Sequence, residues 1–298
     1  MKLGFVGLGH MGGPIARVLA QAGHDLTVFD LDRGAATDVL GHGATWADSG
    51  EAAASGADAV LLCLPGPTQV EAAIFGADGV VQGCADGAAI IDLSTNSPEV
   101  VRRMEERLRE RGVHLIDAPV SGGPRGARRG TLTVMVGASP EQFERFRPVF
   151  EALGEKIFYA GGIGNGSVAK LVNNQLCFIG VLAMTEALVA GTKAGLDPMV
   201  LREIVQASSG GSFVWTGGTM AILQDRLQPT FTTTLACKDL RLASELAQGV
   251  AASVPLLERA LELMEHHRDA GFAEEDMMAT VRALEDAAGW QVRGTWHE

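Results

Sequence analysis

The stretch VGLGHMGGPIARVL, residues 6–19, places glycines at Gly7, Gly9 and Gly12, in the spacing Gly-x-Gly-x-x-Gly. A β-rich run, KLGFVG, precedes them, and a helical pattern follows over residues 12–22. In such a strand–loop–helix unit, the first glycine permits a tight turn and the second lets the backbone approach a bound group. The third lets the helix pack closely against the strand. Free N–H groups at the helix start favour a phosphate, so the stretch predicts a phosphate-binding loop in an α/β domain.

The acidic residue Asp30 indicates which phosphate-containing ligand this loop holds. It ends the second β-rich run, DLTVFD, 18 residues after Gly12. A carboxylate at that point can accept hydrogen bonds from the ribose hydroxyls of NAD, and it repels the 2′-phosphate of NADP. Asp32 adds to the repulsion, while Arg33 partly offsets it. We therefore expect a dinucleotide site that prefers NAD; the alternative is an ordinary glycine turn beside a strand that ends in an acid.

The two halves of the chain differ in pattern. In the first half, β-rich runs alternate with helical patterns, which is typical of an α/β domain with a largely parallel sheet. After the glycine-rich stretch AGGIGNG, residues 160–166, the patterns are helical and no convincing strand follows. The sequence therefore predicts two domains, residues 1–162 and residues 163–298. The predicted strands are residues 2–7, 25–30, 59–65, 88–94, 113–120, 131–137 and 156–161, and the predicted helices include 12–22, 98–111, 140–153, 236–248 and 254–268.

A further helix, predicted over residues 167–194, is apolar on nearly all sides. Such a helix has to be covered on more than one face, so we expect it to lie between the domains and to contribute to a homodimer or homotetramer. Its most apolar stretch, Leu176 to Met184, is nine residues long. A membrane-spanning helix needs about 20 apolar residues, so we interpret this helix as a buried element with no membrane partner.

Composition and charge exclude several other kinds of protein. The formal net charge of −12 disfavours nucleic acid as a partner. The four cysteines lack metal-ligand spacing, and the neighbouring His266 and His267 point to different sides of a helix, so no metal site is predicted. Three cysteines lie in apolar runs, as reduced cytoplasmic thiols do, and glycines interrupt the opening run that a signal peptide would need. We therefore expect a cytoplasmic protein.

Lys170 and Asn174 lie one helical turn apart in SVAKLVNNQ and so share a face of the predicted helix. The positive helix start and partial burial both disfavour a charged amine, so we expect the pKa of Lys170 to fall toward neutrality. Such a lysine can exchange a proton with an alcohol or carbonyl oxygen while a hydride moves. Asn174 can position the lysine or the substrate hydroxyl. The alternative is a lysine whose stem lies along apolar surface beside two solvated asparagines.

A possible carboxylate site follows another β-rich run. Ser121 offers a hydroxyl, and Gly122 and Gly123 expose backbone N–H groups without a side chain in the way. A flexible turn would account for the two glycines equally well.

Five further stretches extend these observations to nearly the whole chain. Together with the opening GLGxMGxP, they resemble the β-hydroxyacid dehydrogenase family in order and spacing. This family includes 3-hydroxyisobutyrate dehydrogenase and tartronate semialdehyde reductase, and it is similar to 6-phosphogluconate dehydrogenase. The five stretches are LLCLP ending at Pro65, IDLST ending at Thr95, DAPVSGG at 117–123, GNGSVAKLVNNQ at 164–175 and FTTTLACKDLRLA at 231–243.

The resemblance implies a Rossmann-type α/β N-terminal domain and an all-α C-terminal domain, joined by a long interdomain helix, with the active site in the cleft. It also implies hydride transfer between NAD(H), with NADP less favoured, and a small anionic β-hydroxyacid or its semialdehyde. Lys170 would be the catalytic lysine and Asn174 its partner. The implied substrate-binding residues are Ser121, Gly122, Gly123 and Asn174. The implied cofactor-binding residues are Gly7, Leu8, Gly9, His10, Met11, Gly12, Asp30, Leu64, Pro65, Thr95 and Lys238.

Two other functions stay open at this point. One is a reductase of imines or larger carbonyls on the same scaffold; Lys170 argues against it, because such enzymes often replace the lysine. The other is a cofactor-binding scaffold that has lost its chemistry and serves as an interaction module. That reading predicts a missing lysine or an added recognition domain, and the sequence shows neither.

Overall fold

The computed structural model of the 298-residue chain describes residues 1–292. Two compact units form, the first over Met1–Lys170 and the second beginning at Leu171. The division falls inside α9 (Asn165–Lys193), the helix predicted over residues 167–194. The predicted domain boundary at 162/163 precedes this helix, and the domain assignment stays a prediction. The last residues of the predicted second domain, 293–298, lie outside the described residues.

A nine-stranded sheet forms the centre of the first unit. The strands are β1 (Lys2–Val6), β2 (Asp25–Phe29), β3 (Thr45–Trp46), β4 (Ala59–Leu62), β5 (Ala89–Asp92), β6 (His114–Asp117), β7 (Val120–Ser121), β8 (Thr133–Gly137) and β9 (Lys156–Gly161). Six of them run parallel in the order β3-β2-β1-β4-β5-β6, whereas β8 pairs antiparallel with β6 and β7, and parallel with β9. The chain places β2 and β3 on one side of β1 and then β4, β5 and β6 on its other side. The strand order therefore reverses between β1 and β4. Open parallel sheets bind ligands at the carboxyl ends of the strands beside such a reversal.

Helices cover the parallel strands on both faces, which explains why β4 and β5 are apolar, buried runs. One core cluster joins the sheet to α1 and α8 through residues such as Ile15 and Phe146. Another joins it to α4 and α6 through residues such as Ile74 and Met104. The helices of this unit, before α9, are α1 (Gly12–Gln21), α2 (Thr37–Leu40), α3 (Gly50–Ala54), α4 (Pro67–Phe75), α5 (Val80–Gly83), α6 (Pro98–Arg109), α7 (Gly123–Arg129) and α8 (Pro140–Leu153).

In the second unit, the regular elements within residues 171–292 are helices, apart from an isolated bridge between Thr232 and Asp276. Two apolar clusters form its core, one around Leu171 and Phe178 and the other around Leu188. After α9 the helices are α10 (Pro198–Gln206), α11 (Phe213–Leu223), α12 (Thr233–Gly249), α13 (Pro255–His267) and α14 (Thr280–Ala288).

The predicted strand 113–120 proved to be two strands. Proline has no backbone N–H to donate to a sheet ladder, and Pro119 lies between β6 and β7. β7 then pairs antiparallel with β8, so Ser121 and the glycines after it lie at the end of β7 and not at the end of the parallel strand β6. Because of this break, the predicted carboxylate site, Ser121 to Gly123, follows a short strand separate from the parallel strands.

In the single chain, α9 is only partly buried. Of its most apolar 18 residues, with a mean hydropathy of 1.5, 39% are buried. By length and composition the helix could cross a membrane, a test that core helices of soluble proteins also pass. Val172 and Leu176, one turn apart, are 48% and 68% exposed. Part of the surface that we expected to be covered is therefore open in the single chain.

Candidate active site and family

The glycine loop after β1 has the shape that a bound pyrophosphate requires. Gly7 has a φ of +96°, and a Cβ atom on Gly12 would overlap the Gly7 carbonyl oxygen. A Cβ atom on Gly9, in contrast, would meet nothing within 4 Å, so this exposed backbone borders open space. No side chain caps the start of α1, whose N–H groups suit a phosphate. Of the other predicted loop residues, Leu8 is buried, Met11 is half-buried and His10 is exposed.

Asp30 lies at the carboxyl end of β2, beside this loop. One of its carboxylate oxygens accepts the backbone N–H of Leu8 at 2.6 Å, and the other accepts that of Asp32 at 2.9 Å. These bonds fix the carboxylate against the loop, where NAD ribose hydroxyls bind in folds of this kind. The Arg33 guanidinium lies over the ring of Trp46, 5.4 Å from its centroid, so its cation contacts β3. The residues present therefore fit a dinucleotide.

The residues predicted on the nicotinamide side share the same edge of the sheet. Leu64 and Pro65 follow β4, and Thr95 follows β5, its parallel neighbour. The backbone N–H of Leu64 donates to Ser94 Oγ at 2.9 Å, which ties the two loops together.

A buried carboxylate, Asp92, supports these two loops. Its oxygens accept the backbone N–H of Ser94 and the Nδ2 of Asn96, both at 2.9 Å. All three residues are at least 96% buried. Sequence reasoning missed this network, although an acid that ends an apolar run, as in AIID, must be paired when it is buried.

Cys63 adds no reactive group to this edge. It precedes Leu64 and lies close to Gly12. Burial raises the pKa of its thiol to about 12, so it stays neutral and is a poor nucleophile. Within residues 1–292, no group of histidine, cysteine and acidic side chains has the arrangement of a metal site.

Lys170 lies against the predicted carboxylate site. The half-buried side chain donates from Nζ to the carbonyl oxygen of Val120 at 2.8 Å. Val120 directly precedes Ser121, and Gly122 and Gly123 follow with φ angles of +133° and +62°. The structure therefore brings Lys170 and the SGG stretch together within the unit that carries the glycine loop.

Asn174 is held by a buried acid in the second unit. Its Nδ2 donates to Asp239 at 2.6 Å, and its Oδ1 accepts from Asn173 at 3.0 Å. The other carboxylate oxygen of Asp239 lies 2.8 Å from Lys238 Nζ. Because the Asp239 side chain is fully buried, this ion pair is shielded from solvent, unlike a pair on the exposed surface. Sequence analysis missed Asp239, whose signal is an acid within the apolar face of α12.

Two family models match the chain almost end to end. Residues 2–161 match the NAD binding domain of 6-phosphogluconate dehydrogenase, and residues 164–284 match the model described as NAD-binding of NADP-dependent 3-hydroxyisobutyrate dehydrogenase. The chain belongs to the β-hydroxyacid dehydrogenase family. The predicted family, the Rossmann-type fold with its helical second unit, and the NAD(P)-dependent dehydrogenase class are thereby confirmed.

Two relatives of this β-hydroxyacid dehydrogenase come from Pseudomonas aeruginosa. A 3-hydroxyisobutyrate dehydrogenase is 42% identical over 92% of this chain and 95% of the relative. An NAD-dependent L-serine dehydrogenase is 40% identical over 97% of this chain and 99% of the relative.

A solved structure shows the same architecture. The 3-hydroxyisobutyrate dehydrogenase of Mycobacterium tuberculosis, solved with L-serine, superposes with a TM-score of 0.86 at 30% identity. The match covers 95% of this chain and 98% of that one. Since the second family match contains all of α9, this apolar helix is part of the dehydrogenase fold.

Proposed function

We propose that this chain interconverts a small β-hydroxyacid and its semialdehyde, with NAD(H) as the hydride carrier. The observation that carries the proposal is the hydrogen bond of Lys170 to Val120, which keeps the amine beside Ser121 in the dinucleotide-binding unit. The substrates named for the relatives, 3-hydroxyisobutyrate and L-serine, share a carboxylate and a hydroxyl on the β-carbon. That shared part of the molecule is the substrate class we assign.

Each proposed role follows from the chemistry of one group. Lys170 donates a proton to the carbonyl oxygen in reduction and accepts one from the hydroxyl in oxidation. Ser121 and the N–H groups of the following glycines bind the substrate carboxylate. When bound, the nicotinamide supplies or accepts the hydride.

Asn174 and Lys238 take supporting roles in this proposal. Asn174 orients the substrate hydroxyl, and Lys238 approaches the cofactor. Asp239 holds both side chains, because one carboxylate oxygen contacts each of them. A buried carboxylate with two polar partners restricts their rotamers more than solvent-exposed partners would.

Steady-state kinetics over a substrate panel tests the function. The panel contains methylmalonate, tartronate and succinic semialdehydes and glyoxylate with NADH, and 3-hydroxyisobutyrate and L-serine with NAD. Single pocket contacts shift preference by about 1–3 kcal/mol, so we expect one β-semialdehyde or β-hydroxyacid to lead by about tenfold or more. Glyoxylate and succinic semialdehyde, whose products carry the hydroxyl on the α-carbon and the γ-carbon, are the comparison compounds. Turnover of a cyclic imine, with none of the panel accepted, would favour the imine reductase instead.

We also expect NAD(H) to exceed NADP(H) in kcat/KM by at least about tenfold. The Asp30 carboxylate is fixed beside the loop, and a like charge at a binding surface costs several kcal/mol, which screening and Arg33 reduce. The measurement is kcat/KM with both cofactors on one substrate. Asp30→Asn should lower the ratio of kcat/KM with NAD(H) to kcat/KM with NADP(H), and Asp32→Asn should change this ratio less. Equal kcat/KM values with the two cofactors for the wild-type enzyme would contradict the proposed preference for NAD(H).

We further propose a cytoplasmic homodimer or homotetramer that buries part of the helical unit. Val172 and Leu176 of α9, and Val200 and Ile204 of α10, expose apolar side chains one turn apart. Sedimentation at micromolar concentration should show an oligomer, and Leu176→Glu should shift it toward the monomer, because a charge would enter an apolar contact. A wild-type monomer would contradict this proposal.

A further inference from the structure

Asp117, a buried acid at the carboxyl end of β6, contacts the start of the helix that carries Lys170. Its Oδ1 accepts the backbone N–H of Gly164 at 2.7 Å, and its Oδ2 accepts that of Ser167 at 2.6 Å. Ser167 lies in the first turn of α9, where N–H groups have no partner within the helix. A carboxylate from another element, 50 residues earlier in the chain, therefore provides the acceptor there.

Three glycines leave room for this carboxylate. Gly137 of β8 pairs with Asp117 of β6, and a Cβ atom on this glycine would collide with Asp117 Oδ1. One on Gly166 would lie 3.0 Å from Oδ2, and Gly164 has a φ of +87°. The backbone around the acid is thus shaped to bring α9 into direct hydrogen-bonding distance of β6.

We propose that Asp117 is a positioning residue for the proton transfer: it fixes the first turn of α9 so that Lys170 stays beside Val120 and Ser121. The inference rests on the proposed role of Lys170. Lys170 follows Ser167 by three residues, so a shift of the helix start displaces the amine directly. Misplacement of a reacting group by about 1 Å can cost about 100-fold in rate.

The charge state of Asp117 connects this role to pH. Burial, with a smaller contribution from Asp92 in register on β5, raises the pKa of Asp117 to about 7 against the effect of the two backbone hydrogen bonds. On the neighbouring elements, Arg102 of α6 lies against Gly164, Lys170 follows on α9, and β8 carries no charged residue. Glu105 of α6 accepts the backbone N–H of Leu115 on β6, and burial raises the pKa of this carboxyl as well. The ionised carboxylate accepts both N–H groups, whereas the protonated form offers a hydroxyl to one of them.

The effect of this shift on stability has a definite sign. The folded pKa, about 7, lies above the ordinary value of 3.8. The folded state therefore binds the proton of Asp117 more tightly than the unfolded state does. The stabilisation that this provides is complete below pH 3.8, the ordinary pKa, and is lost as the pH rises through about 7. Asp117→Asn removes this pH dependence. The free energy of unfolding of the variant, minus that of the wild type, should therefore be larger at pH 8 than at pH 5. Urea unfolding of both proteins at the two pH values measures it.

The variant Asp117→Asn also tests the positioning role. At pH 8 we expect kcat for semialdehyde reduction to fall about 10- to 100-fold, with the NADH Kd within about threefold of wild type. A merely structural role would lower stability and leave kcat per folded molecule unchanged. The matched control is Ser139→Ala, which removes the acceptor at the start of α8, where Ser139 Oγ accepts the Gln142 N–H. This control should keep kcat within about twofold, because α8 does not carry the amine.

The wild-type pH profile tests the inference without any variant. In the reduction direction, kcat should fall as the pH drops through about 7 and Asp117 becomes protonated. Deprotonation of Lys170, the proton donor in this direction, lowers kcat on the alkaline side instead, so the two groups are distinguishable. Asp117→Asn should lack the acidic decline.

Lys170→Ala, measured in parallel, separates the two proposals. If it keeps wild-type turnover, the proposed function of Lys170 fails, and the role of Asp117 fails with it. If it loses turnover while Asp117→Asn stays within about twofold of the wild type, only the positioning inference is overturned. If kcat of the wild type does not fall as the pH drops through about 7, the positioning inference is overturned as well. This outcome can be measured even if Asp117→Asn does not fold.

Discussion

Lys170→Ala is expected to lower kcat by about 10²–10⁴-fold, the usual effect of removing a positioned proton donor. The NADH Kd should stay nearly unchanged, because the groups that fit the dinucleotide lie on other elements, the glycine loop after β1 and Asp30 after β2. Steady-state kinetics on the best substrate and a fluorescence titration with NADH measure the two quantities.

Two lysine variants control this experiment. Lys170→Arg should not restore turnover, since a guanidinium keeps its proton at any working pH. Lys193→Ala removes a lysine at the far end of the same helix, where Nζ donates to the carbonyl oxygen of Ala288, and it should keep near wild-type kcat. Near wild-type turnover of Lys170→Ala would mean that the amine only lies along the helix surface, and the mechanism would have to be abandoned.

Gly9→Val is expected to raise the Kd for NADH by at least about 100-fold, because the side chain would occupy the space that the pyrophosphate needs. The fold should tolerate it, since a Cβ atom at Gly9 meets nothing within 4 Å. Calorimetric titration with NADH, and thermal unfolding without cofactor, separate the loss of binding from a loss of stability.

Gly162→Val is the matched control for the glycine loop. Gly162 lies in the same unit and also has open space around its Cβ position, but it is outside the loop. It should leave the NADH Kd within about threefold, or less than 0.7 kcal/mol. An unchanged Kd for Gly9→Val would show that the dinucleotide binds elsewhere.

Features set by neighbouring residues could be predicted from the sequence. The glycine loop, the parallel strands and the start of α8 all depend on patterns a few residues long. At α8, Ser139 caps the helix, Pro140 opens it and Glu141 follows in the first turn, as the sequence SPE indicates. The long apolar pattern of α9 likewise predicted its bounds to within two residues.

Features that depend on distant residues could not be predicted. Asp117 accepts from Gly164, 47 residues away, and Asn174 donates to Asp239, 65 residues away. A single sequence shows that these acids lie in apolar surroundings, but it does not show which donors reach them. The buried carboxylates that orient the proposed catalytic groups therefore appear only in the structure.

Short elements were missed for a different reason. β3 has two residues and α3 has five, which is too short for a periodic pattern to show. The split between β6 and β7 had a local signal in Pro119, but the apolar run around it resembled one continuous strand.

The central claim is that this chain oxidises a hydroxyl on the β-carbon of a small acid with NAD. NADH formation, followed by absorbance after purified protein is mixed with NAD and each hydroxyacid, tests it most directly. We predict turnover with 3-hydroxyisobutyrate or L-serine, a dependence on Lys170, and no turnover with the α-hydroxyacid 2-hydroxybutyrate. Oxidation of 2-hydroxybutyrate, or bound NAD without turnover of any β-hydroxyacid, would contradict the claim.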